Sequence, residues 1–405
     1  TLTIKQSTNG RTIGLGGGAG DLNISDTELA DIVGATGDTV ATLALGDTNT
    51  GAINIDTALI NANTTLIGLS LAVDDAANQI QLTSGKNLTI KADGAIDLGT
   101  SARTIAMSGG ELSITSKDGT TGNAGAININ NTGGGSGAFS IGQIKTSGTQ
   151  TVSFLGSTGN IEDNLSDILP DVIATSVVVT LGDSKFGAAG DTIDIETMTA
   201  TGLTVNSVGG LHIRTSEALT LNQEIDVRST TGSITLIGSK NNSVFTQQNG
   251  NLLKAHSASG NIIIQFDDVA LSTVDGEIFA NSVTLAPFTD ATSIGIAGTG
   301  DFNLSANEIG ALDDTDSEIL IIGSGAAGDI LIGAIDFRTA VNTTAAGNKI
   351  QILGANVGIG GLVNTTGMDM SIISSGAVTD TANDDNSSIT ADKVTITVNG
   401  TGDIG

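Results

Sequence analysis

Gly20-Asp21-Leu22-Asn23-Ile24-Ser25, followed by Glu28-Leu29, is written again as Gly300-Asp301-Phe302-Asn303-Leu304-Ser305, followed by Glu308-Ile309. The likeness of this repeat motif extends outward on both sides. Thr12-Ile13-Gly14-Leu15 before the first copy answers to Ser293-Ile294-Gly295-Ile296 before the second. Leu43-Ala44-Leu45-Gly46-Asp47 and Gly51-Ala52-Ile53-Asn54-Ile55 after it answer to Ile321-Ile322-Gly323 and Gly328-Asp329-Ile330-Leu331-Ile332. A weaker copy lies between them, with Leu165-Ser166-Asp167-Ile168-Leu169, Val179-Thr180-Leu181-Gly182-Asp183 and Gly190-Asp191-Thr192-Ile193-Asp194-Ile195. Repetition of this kind marks a quasi-one-dimensional architecture whose units bury their cores against neighbours. The expectation is one continuous body in three divergent sections, 1–150, 151–285 and 286–405.

Between the copies of the motif the chain alternates in short pairs. Ile80/Leu82, Leu88/Ile90, Ile96/Leu98, Ile105/Met107 and Leu112/Ile114 place aliphatic residues at i and i+2, as a half-buried strand requires. Leu203/Val205, Leu211/Ile213, Leu219/Leu221, Ile225/Val227 and Ile234/Leu236 repeat the rhythm in the second section. A new strand begins about every eight residues, with glycines such as Gly94, Gly109 and Gly209 at the corners. A meander or sandwich is the competing reading. Hairpins favour Asn-Gly turns, and these occur only at Asn9-Gly10, Asn249-Gly250 and Asn399-Gly400. The fold class that follows is all-β: a parallel right-handed β-helix, or β-solenoid, of about 20–25 residues per coil with strands stacked ~4.8 Å apart. Ser25-x-x-Glu28 and Ser305-x-x-Glu308 are capping boxes and predict short helical excursions within the motif. The middle copy has Leu169 where the Glu would stand.

Composition agrees. The 405 residues include 56 Gly but only 2 Pro, no Cys, Trp or Tyr, and 9 Phe; 39% are hydrophobic, almost all of them aliphatic. Gly costs about 1 kcal/mol relative to Ala inside a helix, which argues against a helical body. The formal net charge of −28 repels phosphate backbones and anionic bilayers, so neither nucleic acid nor a membrane surface is expected as a partner. No window approaches the ~18 apolar residues of a transmembrane segment. The chain begins at Thr1 without a Met or a charged-then-apolar leader, the pattern of a processed or excised mature segment.

Gly20-Asp21-Leu22-Asn23-Ile24-Ser25-x-x-Glu28-Leu29, with Leu43-x-Leu45-Gly46 and Gly51-Ala52-Ile53-x-Ile55, resembles the passenger region of filamentous-haemagglutinin-like bacterial exoproteins of the two-partner-secretion type. The likeness covers about 45 residues in each of three copies; the rest matches in style alone. The resemblance implies a right-handed parallel β-helix, export to the cell surface, and a role in adhesion, aggregation or a fibrous layer. That family carries an N-terminal secretion domain with an Asn-Pro motif. The two prolines of this chain are Pro170 after Leu169 and Pro287 after Ala286. The resemblance therefore implies an internal segment of a longer exoprotein, or a relative exported by another route.

No catalytic, cofactor-binding or metal-binding residue is assigned from the sequence. His212 and His256 are far apart and no Cys is available, which disfavours a transition-metal site. The pairs Asp74-Asp75, Asp267-Asp268, Asp313-Asp314 and Asp384-Asp385 are chemically able to attract Ca²⁺ but lie in no calcium-loop pattern, and they read as solvated charge. Gly16-Gly17-Gly18 and Gly133-Gly134-Gly135 lack the flanking signatures of nucleotide loops and read as turns. Three functions remain in order: a non-catalytic extracellular structural protein of a fibre, sheath or matrix; an adhesin stalk gripping a glycan or protein; and a polysaccharide-active enzyme. The first strand, Thr1-Leu2-Thr3-Ile4, and the last, Val394-Thr395-Ile396-Thr397-Val398, show no polar cap and point to self-association through their edges.

Overall fold

Leu88–Ala92 shows how the sequence makes this architecture. Leu88, Ile90 and Ala92 are buried while Thr89 and Lys91 are half-buried, the period-2 pattern of a strand with one face on a core. In the computed structural model this strand lies parallel between two others. Leu88 stands beside Thr64 and Leu112, and Ile90 beside Leu66 and Ile114. The chain then turns into Ile96–Leu98, turns again into Thr104–Ala106, and returns to the first face at Glu111–Thr115. Three short strands therefore make one coil, as the eight-residue rhythm anticipates. The structure describes all residues except 34–39, 74–78, 84, 99–103, 108, 118–121, 132–137, 158, 164–168, 197, 228, 230, 256–258, 275–276, 313–318, 341–348 and 383–388.

The chain divides into two compact units, Thr1–Ile213 and Arg214–Gly405. In the first, one ladder climbs from Leu2–Ile4 through Thr42–Gly46, Asn63–Gly68, Leu88–Ala92 and Glu111–Thr115 to Phe139–Lys145. A second stacks Ile13–Leu15, Ile53–Ile55, Leu71–Val73, Ile96–Leu98, Ile127–Asn131, Thr151–Ser157, Ser176–Thr180 and Leu203–Ser207. A third holds Ala58–Ile60, Gln79–Leu82 and Thr104–Ala106. In the second unit the longest ladder runs from Ile234–Gly238 through Asn261–Gln265, Ser282–Ala286, Ile319–Gly323, Lys349–Gly354 and Val363–Ser374 to Ile389–Val398. Every strand pairing in these ladders is parallel. The fold is the all-β parallel solenoid expected from the sequence.

Aliphatic columns fill the interior: Leu45, Leu66, Ile90 and Ile114 stand in register in one ladder and are fully buried. Each such side chain contributes about 1.5–3 kcal/mol by leaving water. Phe154 packs on Phe186 at a ring separation of 4.9 Å in the first unit, and Phe245 on Phe266 at 5.7 Å in the second.

At the corners the backbone has no strand partner, and side chains supply one. Asn63 accepts the Asn87 backbone N–H through its Oδ1 at 3.0 Å, and Asn87 accepts that of Glu111 at 3.1 Å, each 24 residues on. Asp93 accepts the Lys117 N–H in the same way at 2.9 Å.

The repeat motif departs from simple winding. Leu22–Ile24 turns back to pair with Ile13–Leu15 on the side opposite Ile53–Ile55, and Phe302–Leu304 does the same against Ile294–Ile296. Both then enter the expected helical excursion, Asp26–Val33 in the first unit and Ala306–Ile309 in the second. Each capping box is closed, Ser25 donating to Glu28 Oε2 and Ser305 to Glu308 Oε2, both at 2.8 Å. Gly46 and Gly323 end equivalent strands with φ of +84° and +87°, and a Cβ there would overlap the carbonyl oxygens of Ile67 and Leu353. One helical turn has no counterpart in the sequence pattern: Phe337–Ala340 begins where Asp336 Oδ1 accepts the Arg338 backbone N–H at 3.0 Å.

Candidate functional site

Among the described residues, four places hold unusual chemistry. The first is a cleft on the flank of the second unit, of about 440 Å³, lined by Asn241, Asn242, Asp267, Asp268, Thr289 and Asp301 among others. It contains one of the adjacent carboxylate pairs noted in the sequence. Its acids are already engaged. Asp267 accepts from the backbone N–H groups of Asn242 and Thr289, both at 2.6 Å, and from the Thr289 hydroxyl at 2.8 Å. Asp268 Oδ1 accepts the Asn303 N–H at 3.3 Å, and Asp301 Oδ2 accepts from Ser293 Oγ at 2.8 Å. These bonds tie successive coils and the repeat motif together, which occupies lone pairs that a general base or a cation would use.

The second is a buried acid group in the first unit. Asp163, Asp171 and Asp194 are all buried, Asp171 only 3% exposed. Burial pushes the Asp171 carboxyl up to about 8, and the charges of Asp163 and Asp194 act the same way. The Asp194 backbone N–H, donating to Asp171 Oδ2 at 2.7 Å, opposes them. At neutral pH Asp171 is therefore a neutral acid inside the coil wall. Alternation would point Asp194 outward between Ile193 and Ile195, yet all three are buried. The preceding coil at Asp171 lies beside it, its backbone N–H donating to the Asp194 carbonyl at 2.9 Å. A period-2 reading carries no sign of this burial.

The third is His212. Burial and the neighbouring Lys185 charge lower its pKa to about 4, so its imidazole is neutral at pH 7. His256 and the pairs Asp74-Asp75, Asp313-Asp314 and Asp384-Asp385 lie outside the described residues, as do Gly133-Gly134-Gly135 and Leu165-Ser166-Asp167-Ile168 of the weak middle copy. Among the described residues no group of three or more His, Asp or Glu is arranged to hold a metal ion, and no helix is long and apolar enough to cross a membrane.

The fourth comprises the strand edges. Leu2–Ile4 pairs with Thr42–Gly46, and Ile389–Val398 with Val363–Ser374; among the described residues neither has a strand on its other side. Val394, which stands beside buried Met370, is 41% exposed. Near the first edge, Ile4, Leu22, Ile24 and Ile32 line an apolar groove of about 340 Å³ together with Asn23 and Glu28. The chemistry these edges offer is backbone N–H and C=O groups flanked by aliphatic side chains, which suits another strand. Comparison with protein-family models, with curated proteins and with solved structures gives no match to this chain.

Proposed function

We propose that the chain is a non-catalytic structural protein, a β-solenoid that forms or belongs to an extracellular cell-surface fibre, sheath or matrix by self-association, end to end or laterally. The observation that carries this reading is the stack of parallel coils, in which Leu2–Ile4 and Ile389–Val398 each pair on one side among the described residues and Val394 is 41% exposed. Such edges template further strands unless they are blocked. The resemblance of the repeat motif to filamentous-haemagglutinin-like exoproteins supports a bacterial surface setting. The commitment of Asp267, Asp268 and Asp301 to coil-to-coil hydrogen bonds argues against hydrolytic chemistry in the flank cleft. Electron microscopy of the purified chain, with and without millimolar Ca²⁺, tests the reading: regular filaments or sheets are expected, and isolated particles at every concentration overturn it.

A second reading, an adhesin that grips a glycan through one flank, is favoured by that same cleft, whose Asn and Thr side chains present polar groups to solvent. Saturable glycan binding by isolated chains would select it.

A further inference from the structure

Asn249-Gly250 is one of the chain's three Asn-Gly pairs, and its surroundings follow from how two coils stack. Val244–Gln247 lies parallel to Asp268–Ala270, and Leu253–Lys254 to Ile278–Phe279. The corner of the first coil, 248–252, therefore faces the corner of the next, whose described residues are Leu271–Val274 and Glu277. Asn251 N–H donates to the Gln248 carbonyl at 3.1 Å, which makes a tight turn with Asn249 and Gly250 at its exposed tip. Gly250 takes a φ of +90°, and open space surrounds the place where a Cβ would stand.

The next coil meets this turn through four hydrogen bonds. Asn249 Oδ1 accepts from Ser272 Oγ at 3.0 Å and from the Thr273 backbone N–H at 3.1 Å. Asn249 Nδ2 donates to Thr273 Oγ1 at 3.3 Å. Glu277 Oε1 accepts the Gly250 backbone N–H at 2.5 Å. Ser272 is fully buried and Glu277 is 4% exposed, and Glu277 Oε2 is buried without a hydrogen-bond partner. A buried carboxyl oxygen left unused costs stability that a purely structural corner has no reason to lose. Here that carboxyl holds the backbone N–H whose nitrogen can close a ring on the preceding side chain.

We propose that this corner is a self-modification site, at which Asn249 and Gly250 condense to a succinimide with loss of ammonia. Glu277 is the base, and the Ser272 and Thr273 donors form the oxyanion pocket. The Gly250 nitrogen gives its proton to Glu277 Oε1 and bonds to Asn249 Cγ, closing a five-membered ring. The electron pair of the Cγ–Oδ1 double bond moves onto Oδ1, which Ser272 Oγ and the Thr273 N–H already hold. Its return breaks the Cγ–Nδ2 bond. Nδ2 leaves as ammonia with the proton that Glu277 took, passed through water at the exposed tip, and Glu277 is restored. A further water opens the imide at either carbonyl and leaves an aspartate or isoaspartate in place of the asparagine. Ring closure is intramolecular, so proximity supplies much of the rate. The product keeps an oxygen for Ser272 and Thr273, loses the Nδ2 donor to Thr273, and brings one more negative charge into the joint between coils. None of this depends on self-association.

Peptide mapping by mass spectrometry tests it on the 405-residue chain held near neutral pH at physiological temperature. Asn9-Gly10 and Asn399-Gly400 are internal references; the Gly10 N–H donates to the Asn49 carbonyl at 2.8 Å, which cannot act as a base. Asn249 is expected to lose ammonia and then gain water at least tenfold faster than either reference, and faster than the same pair in guanidinium, where the corner is unfolded. Glu277→Gln, which keeps an acceptor oxygen but takes no proton, should bring the rate at Asn249 down to that of the references. Ser272→Ala should slow it at least tenfold; circular dichroism checks that both variants are folded. A folded wild type in which Asn249 stays intact, or reacts no faster than the references or than itself in guanidinium, overturns the proposal. A folded Glu277→Gln variant with an unchanged rate overturns it as well.

Discussion

Replacing Asp171 with Asn removes a buried proton site, and the structure sets the size of the effect. The Asp171 carboxyl, 3% exposed and beside Asp163 and Asp194, titrates at about 8 in the folded chain against 3.8 when unfolded. A raised folded value means that the native state holds the proton more tightly. Below the unfolded pKa both states are protonated and nothing is lost. As pH rises from about 4 to about 8 the unfolded state ionises first, and stability falls by about 1.4 kcal/mol per pH unit. Between pH 5 and pH 8 the loss is about 4 kcal/mol, and above 8 it levels off. The amide introduced by Asp171→Asn keeps an oxygen for the Asp194 N–H, presents a donor toward Asp163, and has no proton to lose. A unit of about 200 residues shifts its Tm by ~2–4 °C per kcal/mol. The Tm drop from pH 5 to pH 8 should therefore be smaller in Asp171→Asn by about 8–16 °C. Circular-dichroism melts at the two pH values measure it. The other 42 of the 43 acidic residues and all 15 basic ones are common to both proteins, and their effect cancels in the comparison. Equal drops in the two proteins would refute a neutral, buried Asp171.

His212 carries the opposite sign. Its folded pKa of about 4 lies below the ordinary value of 6.5, so its contribution is complete above 6.5 and is lost as pH falls toward 4; His212→Gln should flatten the acid limb of the stability curve in denaturant titrations. Gly46→Ala meets both a φ of +84° and the Ile67 carbonyl, whereas Gly148→Ala meets a φ of +66° and open space. Gly148→Ala should cost about 1 kcal/mol and Gly46→Ala several times more, read as shifts in urea midpoint. Asn87→Ala removes the acceptor for the Glu111 N–H and should cost about 1–3 kcal/mol, while Asn87→Asp, which keeps an acceptor oxygen, should cost less.

Strands were legible wherever burial follows alternation alone. Leu88/Ile90 and Leu112/Ile114 fall in strands with the expected face inward. The helices of the repeat motif were legible because a capping box is a local contract between residues three apart, and Ser305 and Glu308 keep it without help from the rest of the chain. Two features escaped for different reasons. The buried Asp194 sits beside Asp171, 23 residues away, whose carboxyl accepts its N–H, and the Phe337–Ala340 turn follows from a local Asp cap that has no repeat partner to mark it.

The turn-back pairing of Ile13–Leu15 with Leu22–Ile24 also has a kinetic consequence. Most strand partners in the coils must wait for a full circuit of the core, and each such closure carries a loop-entropy cost. Ile13 meets Leu22 after nine residues, with Asp21 and Thr12 already bonded across the turn at 3.0 Å. This patch can order before any circuit is complete, and Ile53–Ile55 then adds to a strand pair that already exists. Ile294 meets Phe302 after eight residues in the same way, so each turn-back pair is a local seed on which the neighbouring coil can be laid without first closing a full circuit.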